Sequence, residues 1–121
     1  MFVNFSNHSS ADWSEEQRQA AESYGNIIDI KFPSVDPDAS ESDIEALADK
    51  CVESILAQKP SAVMCQGEFT LCYTVVRRLK EKGIVCLAAC SVRESKEHRL
   101  DDGKVRRVSV FRFCRFREYR L

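Results

Sequence analysis

Ala62-Val63-Met64-Cys65-Gln66-Gly67-Glu68-Phe69-Thr70 runs from an unbroken apolar stretch straight into a polar loop. A strand that is apolar on both faces belongs in a sheet covered on both sides, the habit of parallel sheets. Upstream, a helix is expected from about Ser42 to Gln58. Ile44, Leu47, Ala48, Cys51, Ile55 and Leu56 recur there at helical spacing, Ser42 and Glu45 offer a capping box, and Pro60 closes it. Downstream, Thr70 is placed to cap a helix carrying Leu71, Cys72, Val75, Val76 and Leu79 on one side. Arg77, Arg78, Lys80 and Lys82 suit its C-terminal dipole, Gly83 ends it, and Ile84–Ala89 reads as another buried strand.

The same alternation extends to both ends. Phe2–Phe5 is a short opening strand, and a helix follows from Ser14, with Gln17 at capping-box spacing and Gly25 placed to end it in a left-handed conformation. Ile27–Ile30 reads as a strand, and Pro33 and Pro37 break the loop after it. Ser91–Gly103 is polar without a clear period and reads as a loop. Val105–Phe116 alternates apolar residues with arginines, as an antiparallel strand at the sheet edge would. The fold expected is α/β: a Rossmann-like three-layer sandwich in one domain over residues 1–121. It has four mostly parallel strands, a C-terminal antiparallel edge strand and three helices.

Composition narrows the class. At 44 % apolar and 31 % charged, the chain can build a core and keep a solvated surface, so global disorder is excluded. A net charge of −1 announces neither a nucleic-acid coat nor a membrane partner, and no apolar run is long enough to span a bilayer. The N-terminus lacks the pattern of a signal peptide, and a cytoplasmic protein is expected. Cys51, Cys65, Cys72, Cys86, Cys90 and Cys114 show no two-residue gap of a zinc or redox motif and read as reduced, buried small apolar residues. No metal site and no cofactor is expected. Charge is uneven: residues 1–58 hold a dozen acidic groups against Arg18, Lys31 and Lys50. From Lys104 onward, arginines dominate. The basic end either attracts phosphates or lies beside the acidic half of this chain or a second copy.

Ligands of such sheets bind beyond the carboxyl ends of the strands, where the strand order reverses. A reversal between the first and third strands brings two loops together. In the first, Ser6, Asn7, His8, Ser9 and Ser10 supply hydroxyl, amide and imidazole groups suited to phosphate or ribose; the plain alternative is a capped turn. His8 is the candidate acid or base. Trp13 either stacks on a base or packs at the helix entry, the packing role being preferred. In the second loop, Gln66 and Glu68 can bond ribose or base edges, Gly67 admits a close backbone approach, and Phe69-Thr70 opens a helix whose free N–H groups attract anions. Ser91 and Arg93 follow the fourth strand, where the arginine can clamp a phosphate. His98 lies in a charged stretch and reads as inert. There is no Gly-x-Gly-x-x-Gly after the first strand and no Gly-x-Ser-x-Gly elbow, so a nicotinamide dehydrogenase and an esterase are disfavoured.

Three stretches carry a resemblance. They are Asn4-Phe5-Ser6-Asn7-His8 before Trp13-Ser14-x-x-Gln17, Gln66–Thr70 before Leu79-Lys80-x-x-Gly83-Ile84, and Phe113-x-Arg115-Phe116-Arg117-Glu118-Tyr119. Together they resemble small CRISPR-associated accessory proteins of type III systems, with Rossmann-like folds related to CARF domains. The resemblance implies binding of a cyclic oligoadenylate second messenger, cleavage of it as a ring nuclease, and a homodimer; neither a membrane nor long nucleic acid is expected as a partner. Cleavage without metal would have the ribose 2′-hydroxyl attack the adjacent phosphorus. Ser6, Ser9, Arg93 and backbone amides would orient the ribose and hold charge, and His8 would move the proton. A non-catalytic sensor or sponge for the same ligand, a nucleotide-processing enzyme outside CRISPR biology, and an interaction protein using the basic strand remain as alternatives.

Overall fold

In the computed structural model, which describes residues 1–121, the alternating pattern builds a single five-stranded sheet. The elements are β1 (Phe2–Ser6), α1 (Glu15–Glu22), β2 (Ile27–Lys31), α2 (Glu41–Leu56), β3 (Ala62–Cys65), α3 (Phe69–Glu81), β4 (Val85–Arg99) and β5 (Val105–Glu118). The strand order is β2-β1-β3-β4-β5. β1 pairs in parallel with β2 and β3, β3 pairs in parallel with β4, and β5 lies antiparallel on β4. This is the Rossmann-like arrangement the sequence pattern points to. The chain leaves β1 for a neighbour on one side, then crosses to β3 on the other, so the order reverses between β1 and β3. No helix is long and apolar enough to cross a membrane.

Successive strand residues face opposite ways. Val3, Phe5, Val63, Cys65 and Cys86 enter a core of 16 buried residues shared with α2 and α3. Phe2, Ala62, Met64 and Leu87 enter a smaller core of 5, closed by Ala21 of α1. The two faces are unequally covered because α1 has only 8 residues. It closes the face over Phe2 and Ala62 and leaves the C-terminal ends of β1 and β3 open on that side.

Several local expectations need correction. The capping box of α2 is Ser40 with Asp43, not Ser42 with Glu45: Ser40 Oγ accepts from Asp43 N at 3.1 Å, and Asp43 Oδ2 accepts from Ser40 N at 3.0 Å. α3 is capped by Glu68, not Thr70; its carboxylate accepts from Thr70 N at 3.0 Å and Leu71 N at 2.8 Å. Gly83 ends α3 at φ 77°, as expected, whereas Gly25, at φ 145°, lies outside the left-handed helical region. Cys114 is exposed and Cys90 half-buried, so only four of the cysteines are core residues.

The largest departure is Ser91–Gly103, expected as a loop. β4 continues through Arg99, and the chain turns over Leu100–Lys104, with Leu100 N donating to Lys104 O at 2.8 Å. Past Cys90 the β4–β5 pair leaves the covered sheet as a ribbon mostly wet on both faces, so the sequence there has no reason to alternate. Arg112–Glu94 at 2.7 Å and Arg107–Glu97 at 3.9 Å tie it across the strands. Part of the basic excess of the C-terminal strand is thus met by β4 glutamates, not by the acidic N-terminal half. Register shifts between Cys90, opposite Arg115, and Ser91, opposite Phe113, leaving Cys114 as a bulge. The bulge puts Phe113 and Phe116 on the same face, with ring centroids 5.0 Å apart.

Candidate functional site

The loop after β1 is held by an internal polar lattice. Asn4 sits on β1 with 1 % of its surface exposed, on the face that also carries Phe2 and Ser6. Its Nδ2 donates to His8 O at 2.8 Å and to Asp29 Oδ1 at 3.0 Å, and its Oδ1 accepts from Ser6 Oγ at 2.7 Å. Ser6 Oγ in turn accepts from His8 N at 3.3 Å. Asp29, the register partner of Asn4 on β2, takes Ser9 Oγ at 3.3 Å and Ser10 N at 3.1 Å on its other oxygen. Burial alone would raise the Asp29 carboxyl, but the bonds from Asn4, Ser10 and Ser9 outweigh it and hold the group below its ordinary range. Arg18 of α1 secures the end of the loop, donating to Ser10 O at 2.7 Å.

This lattice divides the predicted residues by role. Ser6 was expected to be catalytic, but its hydroxyl is already engaged with Asn4 and His8, so it positions the loop. Ser9 and Ser10 bind Asp29. His8 takes part through its backbone, and its imidazole is left exposed without an intramolecular hydrogen bond.

The two loops do meet. A cleft of about 540 Å³ is lined by Ser6, Asn7 and His8 from the first loop, and by Gln66 and Gly67 from the second. Gln66 is fixed in place because its Oε1 accepts from Ala89 N of β4, and its own N donates to Phe5 O at 3.1 Å. Trp13 packs at the helix entry, the preferred of its two expected roles. Its ring packs edge-on against Phe2 with centroids 6.1 Å apart, and it also lines the cleft. Opposite stand Ser91, Phe113 and Phe111 of the β4–β5 ribbon, the last with 75 % of its surface exposed. A second, smaller cleft of about 200 Å³ lies beside β2, between Asn4, Asp29 and Lys31. Ser6, Asn7 and His8 line both clefts and form the ridge between them.

Other expected residues fall outside. Glu68 spends its carboxylate on the first N–H groups of α3, which removes the anion site expected there. Thr70 Oγ1 donates back to Glu68 at 2.7 Å. Phe69 points to solvent with 88 % of its surface exposed, and none of the three lines either cleft. Arg93 stands on the ribbon, not in a loop, and its guanidinium donates to Ser109 Oγ at 3.1 Å. Gly67 lines the cleft and also serves the core: a Cβ there would come within 2.6 Å of three atoms of the buried Phe32 ring, so its close approach is to Phe32.

The sequence reading missed Asp29, Gln17, Asp12 and Phe111. For Asp29 a signal existed, since a lone carboxylate interrupts Ile27-Ile28-Asp29-Ile30. The larger cleft has no Lys or Arg in its lining and carries one carboxylate, Asp12; Lys31 lies in the smaller one. The arrangement is therefore rich in amides, hydroxyls and aromatic faces, and holds its cation across the ridge.

A family model described as the uncharacterized protein MJ1673 family matches residues 1–117. The chain belongs to that family. No curated protein and no solved structure matches it. Membership joins the ribbon, both clefts and the polar lattice in one matched unit, because the match spans β1 through nearly the end of β5.

Proposed function

We propose that the double cleft binds a nucleotide, with the base in the larger cleft and a phosphate beside Lys31 in the smaller one. The observation that carries this reading is the convergence of Ser6–His8 and Gln66–Gly67 at the strand-order reversal, between the aromatic faces of Trp13 and Phe111. Gln17, Gln66 and Asn7 supply donors and acceptors for a base edge, and the two rings supply stacking surfaces. The resemblance to type III CRISPR accessory proteins singles out cyclic oligoadenylate among nucleotides. Such a ligand crossing the ridge lays a phosphodiester against the His8 imidazole.

In the cleavage that follows from this pose, the ribose 2′-oxygen attacks phosphorus in line and the bond to the 5′-oxygen breaks. The products are a 2′,3′-cyclic phosphate and a 5′-hydroxyl. His8 takes the 2′-hydroxyl proton, and a proton returns to the departing 5′-oxygen. The reaction needs no metal, takes place in the cytoplasm, and suits a homodimer presenting two ridges to a two-fold ring. One observation favours a second reading, a sensor that binds without cutting: Ser6 is engaged internally, and Lys31 is the only Lys or Arg in the two linings.

The test is incubation with labelled cyclic tetra-adenylate, cyclic hexa-adenylate and AMP, with and without chelator, on wild type and His8→Ala. Binding and chelator-insensitive linear product from wild type, with binding alone from His8→Ala, is the expected result. Binding with intact ligand recovered from both selects the sensor. Failure of all three to bind overturns the reading.

A further inference from the structure

Under the second loop lies a cluster that the nucleotide reading does not use. Cys65 ends β3 and Cys72 lies in the first turns of α3, seven positions later, with their Sγ atoms 3.5 Å apart. Both belong to the larger core, Cys65 with 0 % and Cys72 with 8 % of its surface exposed. The Tyr119 hydroxyl donates to Cys65 O at 2.9 Å and lies 3.9 Å from Cys72 Sγ. From this arrangement we infer that Cys65 and Cys72 are a redox-active dithiol, closed to a disulfide by hydrogen peroxide.

Geometry makes the step short. A disulfide needs about 2.05 Å between sulfurs, so side-chain rotation has to close roughly 1.5 Å without moving either element far. The chemistry is asymmetric. The Cys65 thiol bonds to Cys72 and the Gly67 N–H assists, as does the Tyr119 hydroxyl once it turns its single proton from Cys65 O toward the thiolate; against the opposing effect of burial they bring Cys72 down to about 7. Cys65 is pushed up in turn, because it holds the shared proton. Cys72 at the start of a helix is thus the nucleophile and Cys65 the resolving partner. The Cys72 thiolate attacks hydrogen peroxide, an S–O bond forms, the O–O bond breaks, and the departing hydroxide takes from solvent the proton Cys72 gave up on ionising and leaves as water. Cys65 sulfur then attacks the sulfenic sulfur. The S–S bond forms, the S–O bond breaks, and the oxygen leaves with the Cys65 proton as a second water. The sum is two thiols and one hydrogen peroxide to one disulfide and two waters.

Two neighbours serve as controls. Burial pushes the Cys51 thiol up, and Cys86 up to about 11, so neither competes for oxidant. The cross-link would bracket Gln66 and Gly67. Any effect on ligand rests on the nucleotide reading, whereas formation of the bond does not.

The full-length protein is treated with stoichiometric hydrogen peroxide, alkylated, digested with trypsin and analysed by mass. Cleavage after Lys50 and Arg77 releases one peptide holding Cys51, Cys65 and Cys72. The expected peptide has lost two hydrogens, carries its single alkyl group on Cys51, and regains two alkylation sites after dithiothreitol. Alkyl groups on both Cys65 and Cys72 after peroxide, or oxidation of Cys51 or Cys86 at the same rate, overturn the inference. Tyr119→Phe provides a second measurement that keeps Cys72 intact. The pH midpoint of bimane labelling at Cys72 is expected to lie below that of an ordinary thiol in wild type and to move upward in the variant. A wild-type midpoint in the range of an ordinary thiol also overturns it.

Discussion

Gly67→Ala tests whether this glycine is owed to the core or to the ligand. Its backbone is not in the positive-φ region, so alanine meets no intrinsic backbone barrier. By itself the change would stabilise by roughly 0.4–1 kcal/mol through the unfolded chain. Against that, the new Cβ stands 2.6 Å from three Phe32 ring atoms. That ring is 1 % exposed and lies on Phe5 with centroids 4.8 Å apart, so it cannot simply swing aside. Overpacking of this kind costs about 1–3 kcal/mol, which leaves a net loss of roughly 1–2 kcal/mol. For 121 residues the unfolding entropy is about 0.25 kcal/mol/K, so Tm falls by roughly 4–8 °C. Calorimetry reads this directly, and repeating it in a Phe32→Leu background isolates the contact. There the added methyl costs little or stabilises. An unchanged or raised Tm for Gly67→Ala in the wild-type background, or an equal loss in both backgrounds, refutes the assignment to Phe32.

Asp29→Asn removes the charged acceptor of the first loop and is expected to lower Tm at neutral pH by roughly 2–4 °C, after allowance for its solvent exposure. Because the Asp29 carboxyl lies below its ordinary 3.8 in the folded chain, its contribution is present above that value and is lost as pH falls through the lower folded value. Urea midpoints of wild type and variant therefore converge on acidification below about pH 4; a gap that stays constant refutes the linkage. Asn4→Ala strips the buried hub of the same lattice and is expected to cost about 2–4 kcal/mol, with hydrogen exchange at His8 and Ser10 rising ahead of that in β3. Glu68→Gln frees the first N–H groups of α3 from their internal anion, so sulfate should stabilise the variant more than wild type in thermal melts. Equal response to sulfate would mean that the carboxylate does not block the helix end.

Why some of this was legible and some not follows from what each residue answers to. Met64 and Cys65, or Leu87, need only be apolar to declare a strand buried on two faces, and Gly83 and Pro60 mark helix boundaries by backbone chemistry alone. The placement of Ser6–His8 beside Gln66 follows from topology, since alternating elements in a parallel sheet leave few strand orders. Asp29 was not readable in the same way. On its own strand it is an exposed polar residue, and it becomes a loop anchor only through its register with Asn4. The cap of α3 was a choice between neighbours. Glu68 wins because one carboxylate reaches two N–H groups, where a hydroxyl at Thr70 already lies inside the helix.

The ribbon shows the same logic from the other side. Period carries information only where one face must be dry, and beyond Cys90 neither face is wholly so; the strand therefore continued through a stretch whose pattern forbade nothing. A free two-stranded ribbon is marginal in water, yet here its base is fixed by Phe113 and Phe116, which the Cys114 bulge turns to one side; Phe116 packs on the rings of Phe2 and Trp13, and Phe113 packs on Phe116. The anchoring that stabilises the ribbon also aims Phe111 into the cleft. The aromatic wall of the site is thus a product of a one-residue irregularity, and deleting Cys114 should rotate Phe111 away from Trp13 while leaving β1 to β4, Ser91 included, in place. Loss of ligand binding with retained parallel-sheet hydrogen-exchange protection is the expected result; binding that survives the deletion would mean the ribbon is not part of the site.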